Sequence, residues 1–154
     1  YIVAIAQRLI SEHNPYKDLP TETHIQRGRK DILCRLWDLY RAADVQKIML
    51  TPADCCEILN NTKRGHERRV TPKMVGKRLS YLHQKGVVEH FRFRGGQMGG
   101  TWKMNAYHFP GVGKYYRIEF PTYSRDEDGQ WTITGAKSDK EKREFLEVMP
   151  KDEQ

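Results

Sequence analysis

Ten basic residues fall between positions 63 and 94: Lys63, Arg64, Arg68, Arg69, Lys73, Lys77, Arg78, Lys85, Arg92 and Arg94. Two acids, Glu67 and Glu89, oppose them, so the stretch carries +8, slightly more than the +7 of the whole chain. Ammonium and guanidinium groups at this density neutralise phosphates. Each phosphate contact releases condensed counterions, so the implied chemistry is salt-dependent binding of a nucleic acid. A solvated surface is the plainer alternative for any charge run. Here, however, the charge is joined by residue types that read bases. Ser80 and Gln84 follow Lys73 and Lys77 at helical spacing, and hydroxyl and carboxamide groups hydrogen-bond base edges. Thr71 and Pro72 precede that row, and the unpaired N–H groups of a helix start attract phosphate. Further on, Arg92, Arg94, Gln97 and Lys103 flank a glycine-rich tip, suited to an adjacent backbone or minor groove. The candidate DNA-binding set is therefore Lys63, Arg64, Arg68, Arg69, Thr71, Lys73, Lys77, Arg78, Ser80, Gln84, Arg92, Arg94, Gln97 and Lys103.

Other chemistries find little support. His13, His24, His66, His83, His90 and His108 show no paired spacing with cysteine, and the adjacent Cys55 and Cys56 lack a zinc spacer. Nothing around Cys34 or Cys55 resembles a nucleophile motif. Gly111, Gly113 and Lys114 lack the full phosphate-loop spacing. Asp126, Glu127 and Asp128 precede Gly129 and read as a surface turn. The expectation is no catalytic residue, no metal and no cofactor: the chain itself is not an enzyme.

These residues need elements to hold them. Thr71 is a good N-cap and Pro72 suits the first helical position. Val75, Leu79 and Leu82 then recur on one face and predict a helix over 72–85, with Lys73, Gly76, Lys77 and Ser80 largely opposite. Val87, Phe91 and Phe93 alternate with Val88, His90, Arg92 and Arg94. Trp102, Met104 and Ala106 alternate with Lys103 and Asn105. Together they predict a hairpin from about 87 to 109, with Gly95, Gly96, Gly99 and Gly100 at a mobile, turn-prone tip. A second Thr-Pro start at Thr51 and Pro52 predicts a helix over 52–60, with Ala53, Cys56 and Leu59 toward the core and Ile58 nearby. Arg27 to Ala43 forms a stronger helix with a broad apolar face of Ile32, Leu33, Leu36, Trp37, Leu39 and Tyr40. Arg27, Arg29 and Lys30 crowd its start, where cations oppose the helix dipole and phosphate contact is an alternative purpose. Lys47 to Leu50 and Tyr115 to Phe120 read as short strands, and Trp131 to Thr134 has β-propensity.

At the ends the character changes. Tyr1 to His13 reads as a helix with a stripe of Ile2, Ile5, Ala6, Leu9 and Ile10, followed by an extended connector to Gln26. From Ser124 onward nine acids face six bases, a net −3. That acidic, apolar-poor composition predicts loose packing and transient contact with the basic face. Ser138 to Met149 is a candidate short helix with a capping box at Ser138 and Glu141. The charged fraction is 31%, the isoelectric point is near 9.4 and the mean hydropathy is −0.81. A polyanionic partner and a very polar surface follow. An odd count of three cysteines without a spaced framework suits reduced thiols and an intracellular setting, in cytoplasm or nucleoid, or in a host cell if phage-encoded. No run has the length of a membrane span. The chain starts at Tyr1 without an initiating Met, so a piece of a longer protein is expected.

Helix, hairpin and basic tip in this order resemble the recognition helix and wing of a winged helix-turn-helix domain. The expected fold is thus α+β: a three-helix core plus a β-hairpin wing over 27–120, an N-terminal helix and connector over 1–26, and a polar extension over 121–154. A narrower resemblance covers Asp31 to Phe109, about half of the chain. The order LTPADCCEILNN, RRVTPKMVGKRL, FRFRGGQMGGTWKMNAYHF is similar to the C-terminal region of some phage and plasmid replicative helicases and primase-helicases. There a support helix, a TPxxLxxxL-like helix and a glycine-bearing wing follow the ATPase core. This chain departs from that pattern with Val75 where leucine is commoner. The resemblance implies DNA engagement or origin recognition for a replication protein, with double-stranded DNA favoured, single-stranded DNA and other replication proteins as alternatives, and no membrane. No ATPase or polymerase motif is present. A transcriptional regulator, dimerised through the Tyr1 helix, and a protein-interaction module are the competing functions.

Overall fold

Three threonines set the helix starts in the computed structural model, which describes residues 13–94, 103–118, 121–134 and 142–148. Thr23 opens α1 (His24–Val45) with a reciprocal capping box, its hydroxyl accepting from the Gln26 N–H and the Gln26 side chain accepting from the Thr23 N–H. Thr51 does the same with Asp54 at the head of α2 (Pro52–Asn61). Thr71 caps α3 (Pro72–Gln84) by accepting from the Met74 N–H at 3.2 Å. Both Thr-Pro starts thus fall where the side-chain chemistry predicts. Helix α1 begins three residues before the expected Arg27, because the Thr23–Gln26 box satisfies N–H groups that an extended connector would leave to water.

The strands are β1 (Ile48–Met49), β2 (Glu89–Arg94), β3 (Lys103–His108), β4 (Gly113–Ile118), β5 (Thr122–Arg125), β6 (Trp131–Thr134) and β7 (Lys142–Val148). β2 and β3 form an antiparallel hairpin with Glu89 opposite His108 and Arg94 opposite Lys103. Leu50 and Tyr107 exchange backbone hydrogen bonds at 3.0 and 2.9 Å, which ties the end of β1 to this hairpin. β1 also runs parallel to β4, and β7 adds antiparallel on the far side, giving the order β1-β4-β7. β5 and β6 are a separate antiparallel pair. Their turn closes at Gly129, whose φ of 86° favours glycine. The chain is an α+β protein.

The main core gathers Leu36, Leu39 and Tyr40 of α1, Ile58 and Leu59 of α2, and Val75, Leu79 and Leu82 of α3, all essentially fully buried. Trp37 and Tyr40 lean on Phe109 with ring centroids 5.5 and 6.3 Å away. On α2 the core-facing set is Cys55, Ile58 and Leu59, while Ala53 is exposed and Cys56 half-buried. The expected Ala53–Cys56 stripe loses because turning α2 to bury Ile58 together with Leu59 removes far more apolar area from water.

Two expectations for the C-terminal region change. Trp131 and Ile133 are buried in the main core, so the β5–β6 hairpin packs on the body rather than lying loosely against it. The segment proposed as a short helix is a strand over Lys142–Val148, because pairing with β4 satisfies its backbone along one edge. The expected Tyr1–His13 helix, apart from His13, and the glycine-rich tip with Gln97 lie outside the described residues. Among the described residues no helix is long and apolar enough to cross a membrane.

Candidate nucleic-acid interface

The core fixes how α3 presents itself. With Val75, Leu79 and Leu82 buried, a rotation of about 100° per residue leaves two exposed flanks. Lys73, Ser80 and Gln84 are exposed on one. His83 lies toward the hairpin, its ring 5.6 Å from that of His90 in β2. Met74 and Arg78 lie on the other flank, facing the start of α1 across a cleft, and Lys77 at the crest also lines that cleft. Lys73 and Lys77 make no hydrogen bond or ion pair among the described residues, and no acid occupies the first turn of α3. The row is therefore electropositive and uncompensated.

Before α3 runs the basic loop from Thr62 to Val70, anchored from beneath. Asn60 and Val70 bond reciprocally, Nδ2 donating to the Val70 carbonyl at 2.9 Å and Oδ1 accepting the Val70 N–H at 2.8 Å. Arg35, a guanidinium buried within α1, donates to the carbonyls of Arg68 at 3.1 Å and Leu59 at 3.0 Å. Its Nε lies 3.3 Å from the buried Glu67 carboxylate. Arg125 of β5 donates to both Glu67 oxygens at 2.9 Å. Burial alone would raise the Glu67 pKa. The Arg64 N–H and the two guanidiniums outweigh it and hold the carboxyl below its ordinary range. With Glu67 turned inward and paired, Arg68 and Arg69 are left exposed.

The cleft between α1, this loop and α3 has a volume of about 770 Å³. Arg27 and Arg29 come from α1, Arg68 and Arg69 from the loop, and Lys77 and Arg78 from α3. Asp31, the acid in its wall, pairs with Arg35. Burial and the neighbouring Arg29 charge both lower the Arg78 pKa. Its Nε is buried without a hydrogen-bond partner among the described residues.

The hairpin supplies the remaining candidates. Arg92 is exposed and donates from Nε to Asn105 at 3.4 Å, beside His90. Arg94 and Lys103 form the outermost described pair of the ladder. Thr71 is exposed, its hydroxyl engaged as the cap, and Lys63 is exposed at the loop start. Arg64 is diverted: it donates to the carbonyls of Asp126 and Glu127 at 3.0 and 2.6 Å, fastening the loop to the β5–β6 turn. Among the described residues, contact between the C-terminal region and the basic stretch runs through the Asp126 and Glu127 main-chain carbonyls and through Arg125 on Glu67.

Arg27 and Arg29 were absent from the sequence-derived set, yet the fold brings them opposite Lys77 and Arg78. Their signal was a first turn with cations and no acid, against the usual dipole preference. The Arg35–Glu67–Arg125 anchor left no such mark, since three distant charges pair only in space. No protein-family model, curated protein or solved structure matches the chain. The functional reading therefore rests on this geometry and on the resemblance of motif order.

Proposed function

We propose that this chain is a non-catalytic DNA-binding domain of the winged helix-turn-helix kind, belonging to a larger replication protein such as a helicase, primase-helicase or initiator. α3 is the recognition helix and the β2–β3 hairpin the wing. The observation that carries this reading is the exposed row of Lys73, Lys77, Ser80 and Gln84 beside the hairpin that bears Arg92, free of acids. Such a row combines phosphate neutralisation with groups that read base edges. The helix–strand–helix–helix–hairpin order, with β1 tied to the hairpin at Leu50 and Tyr107, supports the architectural half of the proposal. The motif order supports the replication context.

The test is Lys73→Ala with Lys77→Ala. Both side chains are exposed and leave the Val75, Leu79, Leu82 face intact, so the circular dichroism spectrum and melting temperature should persist. The slope of log affinity against log salt on duplex DNA should shrink by about 1.8 units, at about 0.9 per phosphate contact. A lysine that reads a guanine edge would instead lose about 1–3 kcal/mol of discrimination at that base. Arg92→Ala should weaken all sequences alike, as backbone contacts do. Unchanged affinity and slope in the folded double variant would remove the recognition-helix assignment and favour a protein-interaction module.

A further inference from the structure

The cleft behind α3 is more than a basic patch, because its interior is apolar. Ile25 is 67% exposed and Met74 38% exposed in its walls. A smaller hollow of about 330 Å³ adjoins it, with Arg29 and Arg78 lining both. That second hollow presents Leu19 and the ring of Tyr81, 41% and 38% exposed. The wall between the hollows therefore holds two guanidiniums without a carboxylate pairing either among the described residues. Burial foremost, and then the nearby Arg29 charge, lowers the Arg78 pKa, and the buried Arg78 Nε lacks a partner among the described residues. An anion between the two guanidinium groups would relieve the repulsion.

We infer that this double hollow binds single-stranded DNA, with one backbone phosphate between Arg29 and Arg78 and the flanking bases against Met74 and Ile25 on one side and Tyr81 on the other. Duplex DNA offers phosphates and groove edges but keeps its base faces stacked inside the helix. The exposed apolar walls and the aromatic platform match a strand whose base faces are free. Lys77 borders both this cleft and the exposed row of α3, so one helix serves a duplex on one flank and a single strand on the other. This inference rests on the proposal that the chain engages DNA, and it adds the junction between paired and unpaired strands as the substrate class.

Gly28 provides a test that does not endanger the fold. It lines the larger hollow, and a Cβ added there would meet no atom within 4 Å. Replacing a mid-helix glycine also favours the helix. Gly28→Leu should therefore fold at least as well as the parent while obstructing the hollow. Binding of a fluorescent oligothymidine and of a hairpin duplex is followed by anisotropy. For the single strand we expect a loss of about tenfold or more with Gly28→Leu and with Tyr81→Ala. Tyr81→Phe, which keeps a stacking face, should recover most of it. Arg29→Gln should lower the single-strand salt slope by up to about 0.7 units, the value of one phosphate contact. Duplex affinity should stay near that of the parent in Gly28→Leu and fall in Lys73→Ala. Single-strand binding that survives Gly28→Leu overturns the inference and leaves the cleft to an acidic protein segment. Equal losses on both ligands overturn it too, making the cleft part of one duplex surface. If Gly28→Leu abolishes single-strand binding while the parent ignores duplex, this inference stands and the recognition-helix reading fails.

Discussion

Glu67 is the residue on which the basic loop depends. It sits buried between Arg35 and Arg125 and accepts the Arg64 N–H. Removing one member of a buried ion cluster strands the others, typically at a cost of 3–5 kcal/mol. Glu67→Ala should therefore destabilise the protein by about 3 kcal/mol or more in urea unfolding, and should loosen the segment that presents Arg68 and Arg69. Its pH dependence has a definite sign. The folded carboxyl is held below its ordinary value, so its contribution is complete above about pH 4.5 and is lost as pH falls through the folded pKa. His108 acts in the same direction at higher pH. Its ring is buried against Tyr115, with centroids 4.2 Å apart, and Nδ1 donates to the Phe109 carbonyl at 2.8 Å. That bond leaves Nε2 buried and unprotonated, 3.9 Å from Glu89. Burial depresses the imidazole pKa below 6.5, against the opposing pull of the Phe109 carbonyl and of the Glu89 and Asp44 charges, while Lys47 lowers it further. The unfolded chain then binds the extra proton, so stability should decline as pH drops below about 6.5. Urea titrations at pH 7.5 and 5.5 measure the decline. His108→Phe should flatten it, whatever that substitution costs at neutral pH.

At the scale of elements, the β5–β6 hairpin decides whether the second half of the chain is scaffold or appendage. Trp131 stacks beneath Arg125, whose guanidinium carbon is 4.7 Å from the ring, and Ile133 is buried two residues on. The same Arg125 holds Glu67, so the hairpin braces the loop that leads into α3. Trp131→Ala should cost about 3–5 kcal/mol, the range for a large aromatic removed from a core. The indole Nε1 has no hydrogen-bond partner among the described residues. Trp131→Phe, which keeps a ring beneath the guanidinium, should consequently cost much less than Trp131→Ala. Equal melting temperatures for Trp131→Ala and the parent would show that the hairpin does not share the core.

For the whole molecule, the division of labour is electrostatic as well as steric. Glu67, one of the two acids of the basic region, is turned inward and paired, while Arg68, Arg69, Lys73 and Lys77 stay exposed. Positive charge is thereby concentrated on the outside of α3 and its leading loop, which raises encounter rates with polyanions. Because β7 pairs with β4, and the β5–β6 hairpin shares the core of all three helices, a chain ended after Ile118 should melt well below the parent. Composition alone would have the acidic end removed at no cost, so thermal unfolding of the shortened chain separates the two views. Under the proposed DNA-binding function it should also bind DNA less well, since Arg125 and the Asp126–Glu127 carbonyls that fix the loop would be gone.

Local chemistry was enough to place the two Thr-Pro helices, because a cap hydroxyl, a proline without an N–H and a Val75, Leu79, Leu82 stripe act within a few residues of one another. The alternation on either side of the glycines likewise placed the β2–β3 hairpin, and the apolar face of α1 from Ile32 to Tyr40 is buried as its spacing requires. The sequence also located the concentration of positive charge. It could not determine that Arg64 serves the β5–β6 turn, that Arg29 meets Arg78, or that Glu67 draws Arg35 and Arg125 together across 32 and 58 residues of chain. Nor did it place Trp131 and Ile133 in the core or make residues 142–148 a strand. Composition averages over a segment, whereas burial depends on which distant surface that segment meets. Only the tertiary structure supplies that partner, and with it the cleft behind α3.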